Sequence, residues 1–342
     1  MATIAPERPQ SRKLSEGSKP PGRGRDRLFR WFTFATALLV LLILALIFVS
    51  TINQSWEWFS TRGVRTVFSS RWSPKVYPQG TAKAGQPIPG SGFGAWALIF
   101  GTLYTSFVAI FLAVPLSVGI ALFTTDVGPR WLRNPVGYVV DLLAVVPSVV
   151  FGLWGVFVLA TPIRNVYQSI ADFFAGVPVL DKVFSGNPLL GTSVMTAGLI
   201  LAIMITPIIT SLTREVLATV PIAQKEGALA LGATRWEMIR GAIFPHSRSG
   251  IVASVMIGLG RAMGETIAVA LVIGAAVRVS PALFSPNNTL AAIIAQNFGE
   301  AQGIQRSALI GLGVVLFVIT LLVNVMARAV LNRGERRLAA GR

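Results

Sequence analysis

Two charged side chains, Arg261 and Glu265, stand alone in an apolar stretch, with no other Asp, Glu, Lys or Arg from Ser249 to Val277. The surrounding residues, IVASVMIGLGRAMGETIAVALVIGAAV, read as a membrane-spanning helix. A charge at the centre of a bilayer costs about 2.5–3.5 kcal/mol on insertion scales. A spacing of four residues puts both groups on one helix face, within pairing reach. A chain that bears this cost is expected to use the charges, and a cation inside a bilayer suits an anion in transit. A guanidinium presents a planar fork of donors that matches oxyanion oxygens, and it stays charged at any working pH. A bare carboxylate beside it would repel the anion, so Glu265 needs its own account. It either neutralises Arg261 when the path is empty or accepts a hydrogen bond from a protonated oxygen of the anion; both roles are open at this stage. The hydroxyls of Thr266, Ser148 and Thr206 are lesser candidates for contact. The plain alternative is an ion pair that fixes helix packing.

These residues need a membrane scaffold, and the composition supplies one. The 342 residues are 53% apolar and 13% charged, against about 25% charged in an average soluble domain. Stretches free of Asp, Glu, Lys and Arg run Trp31–Trp56, Ala84–Thr125, Leu142–Ile163, Val183–Thr213 and Ser307–Ala327. A helix needs about 20 mostly apolar residues to cross a bilayer, and each stretch is long enough. With the Arg261 segment they predict six transmembrane helices, near 31–52, 95–123, 137–161, 192–212, 251–276 and 307–329. The expected fold class is therefore all-α and integral to a membrane. The first apolar run is too long for a signal peptide and lacks a small-residue cleavage site, so it reads as an uncleaved anchor.

The net charge of +16 has two readings, nucleic-acid binding and membrane topology. Lys and Arg concentrate in 1–30, in the loop 124–136, in 213–250 and after 327. These segments share one side if both termini are cytoplasmic, which is the positive-inside pattern. Arg62, Arg65, Arg71, Lys75 and Lys83 in the loop 53–94 run against it. No nucleic-acid recognition motif accompanies the charge. The chain has no cysteine, which excludes disulfides and thiolate metal sites. Its single histidine, His246, has no ligand set nearby, and no nucleophile–base constellation occurs.

Residues 1–30 are polar, basic and rich in Pro, Gly and Ser, and are expected to be a disordered tail. The loop 53–94 is expected on the outer side, with Trp56, Trp58, Phe59 and Trp72 at the membrane interface. In the second span Gly101, Ser106, Ala109, Ala113 and Gly119 form a small-residue face that admits close helix approach. Pro115 and Pro147 are expected to bend spans two and three. The segment Pro147-Ser148-Val149-Val150-Phe151-Gly152 either exposes backbone beside a cavity or is a packing kink. Asp141, near the inner start of span three, is expected to reach water or a loop partner.

The longest inner loop, 213–250, is patterned. Pro221 suits a helix first turn, and Ile222 to Leu231 reads as a short helix. Gly232 suits a left-handed helix end. Thr234 and Glu237 have capping-box spacing, which starts a second helix that ends before Pro245. Two short helices about a glycine turn form a protruding elbow. Its apolar residues, Ala228, Leu229, Leu231, Trp236, Ile239 and Phe244, need something to pack on.

The frame Glu226-Gly227-Ala228, Gly232 and Pro245 resembles the EAA loop of ABC importer permeases. Gly227 stands where that pattern has its first Ala, Ala242 where it has Ile and Phe244 where it has Leu. Gly101-Thr102-Leu103, Ser106 and Ala113-Val114-Pro115-Leu116 resemble the family's opening core helix. The runs Gly258 to Val269 and Pro147 to Gly155 narrow the resemblance to phosphate-specific permease subunits, the PstC family rather than its sister PstA. The resemblance covers roughly residues 95–330, the permease core, and leaves 331–342 as a basic cytoplasmic tail. It implies a subunit of the bacterial inner membrane that imports phosphate, assembled with the sister permease subunit PstA, an ATP-binding subunit dimer and an outer phosphate-binding protein. In such a machine Glu226, Gly227, Ala228, Gly232 and Pro245 dock the ATPase, while Arg261, Glu265, Thr266 and Ser148 line the substrate path. No G-x-x-x-x-G-K-[ST] sequence occurs, so no cofactor is expected on this chain; ATP and Mg belong to the partner ATPase. The nearest rivals are the same machine carrying molybdate, tungstate or sulfate, a self-powered secondary transporter, and a scaffold without transport.

Overall fold

A computed structural model describes residues 23–77, 81, 83–186 and 191–340. The chain divides into two compact units between Ser50 and Thr51, inside its first helix, α1 (Arg23–Arg62). In the first unit the apolar residues from Leu28 to Val49 are exposed along the helix, as lipid-facing side chains must be in a chain viewed alone. The expected tail is shorter than 1–30, because residues 23–30 are already helical; residues 1–22 lie outside the described part. The Pro20-Pro21-Gly22 run precedes the helix, and nothing after it stops helical propagation into the apolar segment.

In the second unit α1 continues to Arg62, so Trp56, Trp58 and Phe59 of the expected outer loop's aromatic cluster are helical. Trp58 is only 1% exposed, packed where Gly311 leaves room for its ring, and its backbone N–H donates to Ser307 Oγ at 3.1 Å. It therefore belongs to the core and not to the membrane interface, whereas Trp56 is exposed. A turn of 3₁₀-helix (Val64–Phe68) and a two-stranded antiparallel pair, β1 (Trp72–Ser73) with β2 (Gly92–Phe93), complete this loop.

The core is helical. α2 (Trp96–Leu122) carries Pro115 and runs beside α7 (Val194–Ala218), and the two form the central pair. Gly198 makes this possible, since a Cβ there would sit 2.5 Å from Val108. Ala109 and Ala113 are buried on the same seam, as small-residue packing requires. Gly119, expected to join them, is exposed, with no other group within 4 Å of a Cβ built on it.

The expected third span is broken. α3 (Arg130–Val145) stops before Pro147, which has no N–H to donate and pushes Val146 into extended backbone. A new helical run then starts as α4 (Ser148–Trp154), passes through a π-segment and continues as α5 (Ala160–Phe174), well beyond residue 161. A short turn, α6 (Leu180–Val183), precedes α7. Asp141 on α3 meets Arg214 on α7 at 3.0 Å, so its partner is a helix residue.

After the elbow helices α8 (Ile222–Ala230) and α9 (Arg235–Met238), the chain enters α10 (Phe244–Gly264), α11 (Ile267–Val272), α12 (Leu290–Asn297) and α13 (Ile304–Ala340). Thus the basic segment 331–340 continues a helix. Among the described residues, five helical stretches are long and apolar enough to cross a membrane: 26–61, 96–127, 148–174, 194–218 and 304–329. The sixth apolar segment, carrying Arg261, is discontinuous.

Candidate functional site

The discontinuity falls inside the Arg261 motif. Arg261 is in the last turn of α10, where a cation interacts favourably with the C-terminal end of the helix dipole. Glu265 then leaves the helix with extended backbone, φ −67° and ψ 129°. Its Oε1 accepts from the Ala268 N–H at 3.4 Å, in the first turn of α11. Thr266 turns its hydroxyl back to the Gly264 carbonyl at 3.1 Å. The expectation of one continuous helix face is therefore corrected: Gly264 weakens the helix, and the Glu265 carboxylate serves a new helix start instead of facing Arg261 across a turn.

Among the described residues the ion pairs are Arg214–Asp141 and Lys225–Asp126. Arg261 is exposed, and among the described residues neither a carboxylate nor a hydrogen-bond acceptor lies on its guanidinium. A free guanidinium on an apolar helix must face water, another subunit or an anion when a bilayer surrounds it.

Two glycines bring the second broken helix alongside. A Cβ on Gly152 would lie 2.8 Å from the Ala268 Cα, and one on Gly155 2.8 Å from Val272. α4 and α11 thus run in the same direction in close contact, 152 against 268 and 155 against 272. Ser148, half-buried, stands in the first turn of α4, as Ile267 stands at the start of α11. The starts of α4 and α11, each after a helix break, therefore lie toward the same end of this contact. Thr206 does not join them, because its hydroxyl is spent on the Ala202 carbonyl at 2.7 Å and the residue is buried in α7.

The elbow forms at the opposite end of α10. Gly232 has φ +84°, the left-handed conformation that favours glycine. Thr234 and Glu237 make a capping box, with Glu237 Oε2 accepting from the Thr234 N–H at 2.8 Å. These bonds, the backbone one foremost, hold the Glu237 carboxyl below its ordinary value. Pro245 does not end the second helix. A π-segment at Ile239–Ile243 opens the hydrogen-bond ladder ahead of the proline, which then sits in the first turn of α10.

One face of the elbow is anchored and the other is open. Ile239, Met238 and Ile243 pack with Ala121, Leu217 and Val220, and Lys225 binds Asp126 at 2.6 Å. Arg133 caps the end of the α2 run with three bonds to the carbonyls of Thr125, Asp126 and Gly128. Leu231 and Trp236 remain 91% and 62% exposed, and Glu226 and Gly227 are exposed beside them. The Lys225–Asp126 and Arg133 contacts join residues without any local sequence pattern, so nothing in the sequence marks them.

Residues 113–337 match the family described as "Binding-protein-dependent transport system inner membrane component". The chain is 44% identical over 317 residues to the phosphate transport system permease protein PstC of Mesorhizobium japonicum, covering 92% of each. It is 41% identical over 313 residues to PstC of Pasteurella multocida, 91% of this chain and 93% of that one. With PstC 2 of Mycobacterium tuberculosis it shares 40% over 314 residues. Among solved structures, a bacterial alginate ABC transporter bound to its pentasaccharide-loaded periplasmic protein has a chain that superposes with TM-score 0.56 at 17% identity. That match covers 90% of this chain and 97% of the other, and shows a shared fold.

Proposed function

Because the chain belongs to the PstC family of phosphate transport system permeases, we propose that Arg261 is the group that receives phosphate as it crosses the membrane. The protein is a membrane-spanning permease subunit of an ATP-driven phosphate importer of the inner membrane. The reading of Arg261 rests on one observation: its guanidinium is exposed and unpartnered beside a helix break. A planar donor fork suits phosphate oxygens, and charge-assisted hydrogen bonds of this kind contribute about 1.5–3 kcal/mol each. Glu265 keeps one carboxylate oxygen on the α11 N–H and offers the other to a protonated phosphate oxygen. The alternative role, neutralising Arg261, lacks its ion pair in this conformation. Thr266 and Ser148, at the starts of α11 and α4, supply hydroxyls.

The path is completed by a second permease subunit, PstA, and phosphate is delivered by an outer binding protein. The open face of the elbow, with Glu226, Gly227, Gly232, Pro245, Leu231 and Trp236, docks a separate ATPase that holds ATP and Mg, while Ala228, the remaining residue of the frame, packs toward the anchored face. Both chain termini lie on the cytoplasmic side with the elbow, in keeping with the Lys and Arg distribution. ATPase closure moves the elbow and, through α10, the Arg261 level; this is a two-state change biased by nucleotide.

The test is labelled-phosphate uptake by the reconstituted complex, with sulfate and molybdate as competitors. Arg261→Ala should lower uptake about tenfold or more, the loss of one charge-assisted hydrogen bond at the least, with the complex still assembled. Arg261→Lys should fall well short of wild type, since an ammonium lacks the fork. Normal uptake in Arg261→Ala reduces the arginine to packing, and preferential uptake of another oxyanion overturns the substrate.

A further inference from the structure

We infer that Gln296, on α12, is a positioning residue that sets the depth of the Arg261–Glu265 break by clamping the far end of α11. This rests on the transport reading of that break.

α11 has only six residues, and each of its ends is a place where the helix ladder stops. Its last carbonyls have no partner inside the helix, and in a membrane they need one. Three separate elements supply them. The Gln296 side-chain Nε2 donates to the Ala270 carbonyl at 3.0 Å. The Ser193 backbone N–H, at the start of α7, donates to Val272 at 3.1 Å. The Asn287 N–H donates to Ile273 at 3.0 Å. Of the three donors, Gln296 alone is a side chain, so it alone can be removed by substitution without moving backbone.

Gln296 is itself held. Its Oε1 accepts from Asn288 Nδ2 at 2.8 Å, which fixes which end of the amide faces α11. Asn288 is fully buried, and its carbonyl oxygen lies against Gly101 of α2, where a Cβ would come within 2.0 Å. The chain Gly101–Asn288–Gln296–Ala270 thus ties α11 to the central helix pair. At the other end of α11 the bonds are local: Thr266 to Gly264, and Glu265 to Ala268 at 3.4 Å. The hydrogen bonds that tie the half-helix to other elements thus lie away from the break. Motion of α10 therefore bends the chain at Glu265–Thr266 while α11 keeps its depth against α4.

The experiment uses the assembled complex in vesicles with its binding protein. The chain has no cysteine, so Ile267→Cys, at the exposed first turn of α11, places a single thiol on it. Its labelling by a water-soluble maleimide reports the position of α11. Gln296→Glu keeps the acceptor for Asn288 and loses the donor to Ala270; Gln296→Leu loses both without adding a charge. Both should change the labelling rate about threefold to tenfold, the population shift that one net hydrogen bond supports. Uptake should fall while ATPase activity persists. Gln296→Leu decides the matter if the Glu variant does not assemble. Unchanged labelling in the assembled variants overturns the clamp. A labelling change together with normal uptake in Arg261→Ala keeps the clamp and overturns only the transport reading.

Discussion

Gly152 is the position where α4 and α11 touch, and replacing it with alanine tests whether that contact sets the site. A Cβ there would lie 2.8 Å from both the Ala268 Cα and Leu271 Cδ1, where ordinary contact begins at 3.4 Å. The leucine can rotate away; the Ala268 backbone cannot, so the helices must part by roughly 0.6 Å. Overpacking of this kind costs about 1–3 kcal/mol. Helix propensity works the other way, favouring alanine over glycine by about 1 kcal/mol. The clean comparison is with Gly119→Ala on α2, where nothing lies within 4 Å of the new methyl. The propensity gain is common to both, so the difference between them isolates the overpacking. Thermal unfolding of the detergent-solubilised complex should rank Gly119→Ala at or above wild type and Gly152→Ala about 1–3 kcal/mol below Gly119→Ala. Phosphate uptake should fall in Gly152→Ala, because parting α4 from α11 displaces the helix start beside Glu265 and Thr266. Equal stability and uptake in the two variants would refute the parallel packing on which the site is built.

The remaining predictions concern the elbow. Lys225→Met leaves Asp126 largely buried without its partner, and should cost about 3 kcal/mol, the low end for a buried pair broken on one side. Adding Asp126→Asn should recover most of it, measured by chemical unfolding; full stability in the single variant would show the pair to be inert. The Glu237 carboxyl is held below its ordinary value chiefly by the Thr234 N–H. A lowered carboxyl adds stability that is complete above its unfolded value, about 4.3, and is lost as pH falls through the lower folded one. Hydrogen exchange at the elbow amides should therefore be pH-independent in its protection near neutrality and lose protection in acid, and Glu237→Gln should abolish that acid step. Identical curves for wild type and Glu237→Gln would contradict the assignment.

Much of this protein is written in local pattern. Long uncharged runs predict helices in a membrane because apolar length and backbone satisfaction leave few other folds. Gly232, Thr234 and Glu237 predict the elbow because caps act within four residues of the groups they bind. Arg261 is conspicuous in sequence because a charge among apolar residues has a fixed energetic cost wherever the chain goes. What the sequence left open is how those pieces meet. The spacing of Arg261 and Glu265 predicts a pair on one helix, and only the fold reveals the break between them, since the Ala268 N–H and the Glu265 carboxylate settle it by proximity. Likewise Pro245 reads as a helix end, yet a π-segment absorbs it once α10 is packed against α7. The packing of Gly152 on Ala268 and the Gln296 clamp on Ala270 depend on contacts between residues far apart in the chain. Such contacts have no sequence period, so they become visible only when packing has brought the backbones within reach.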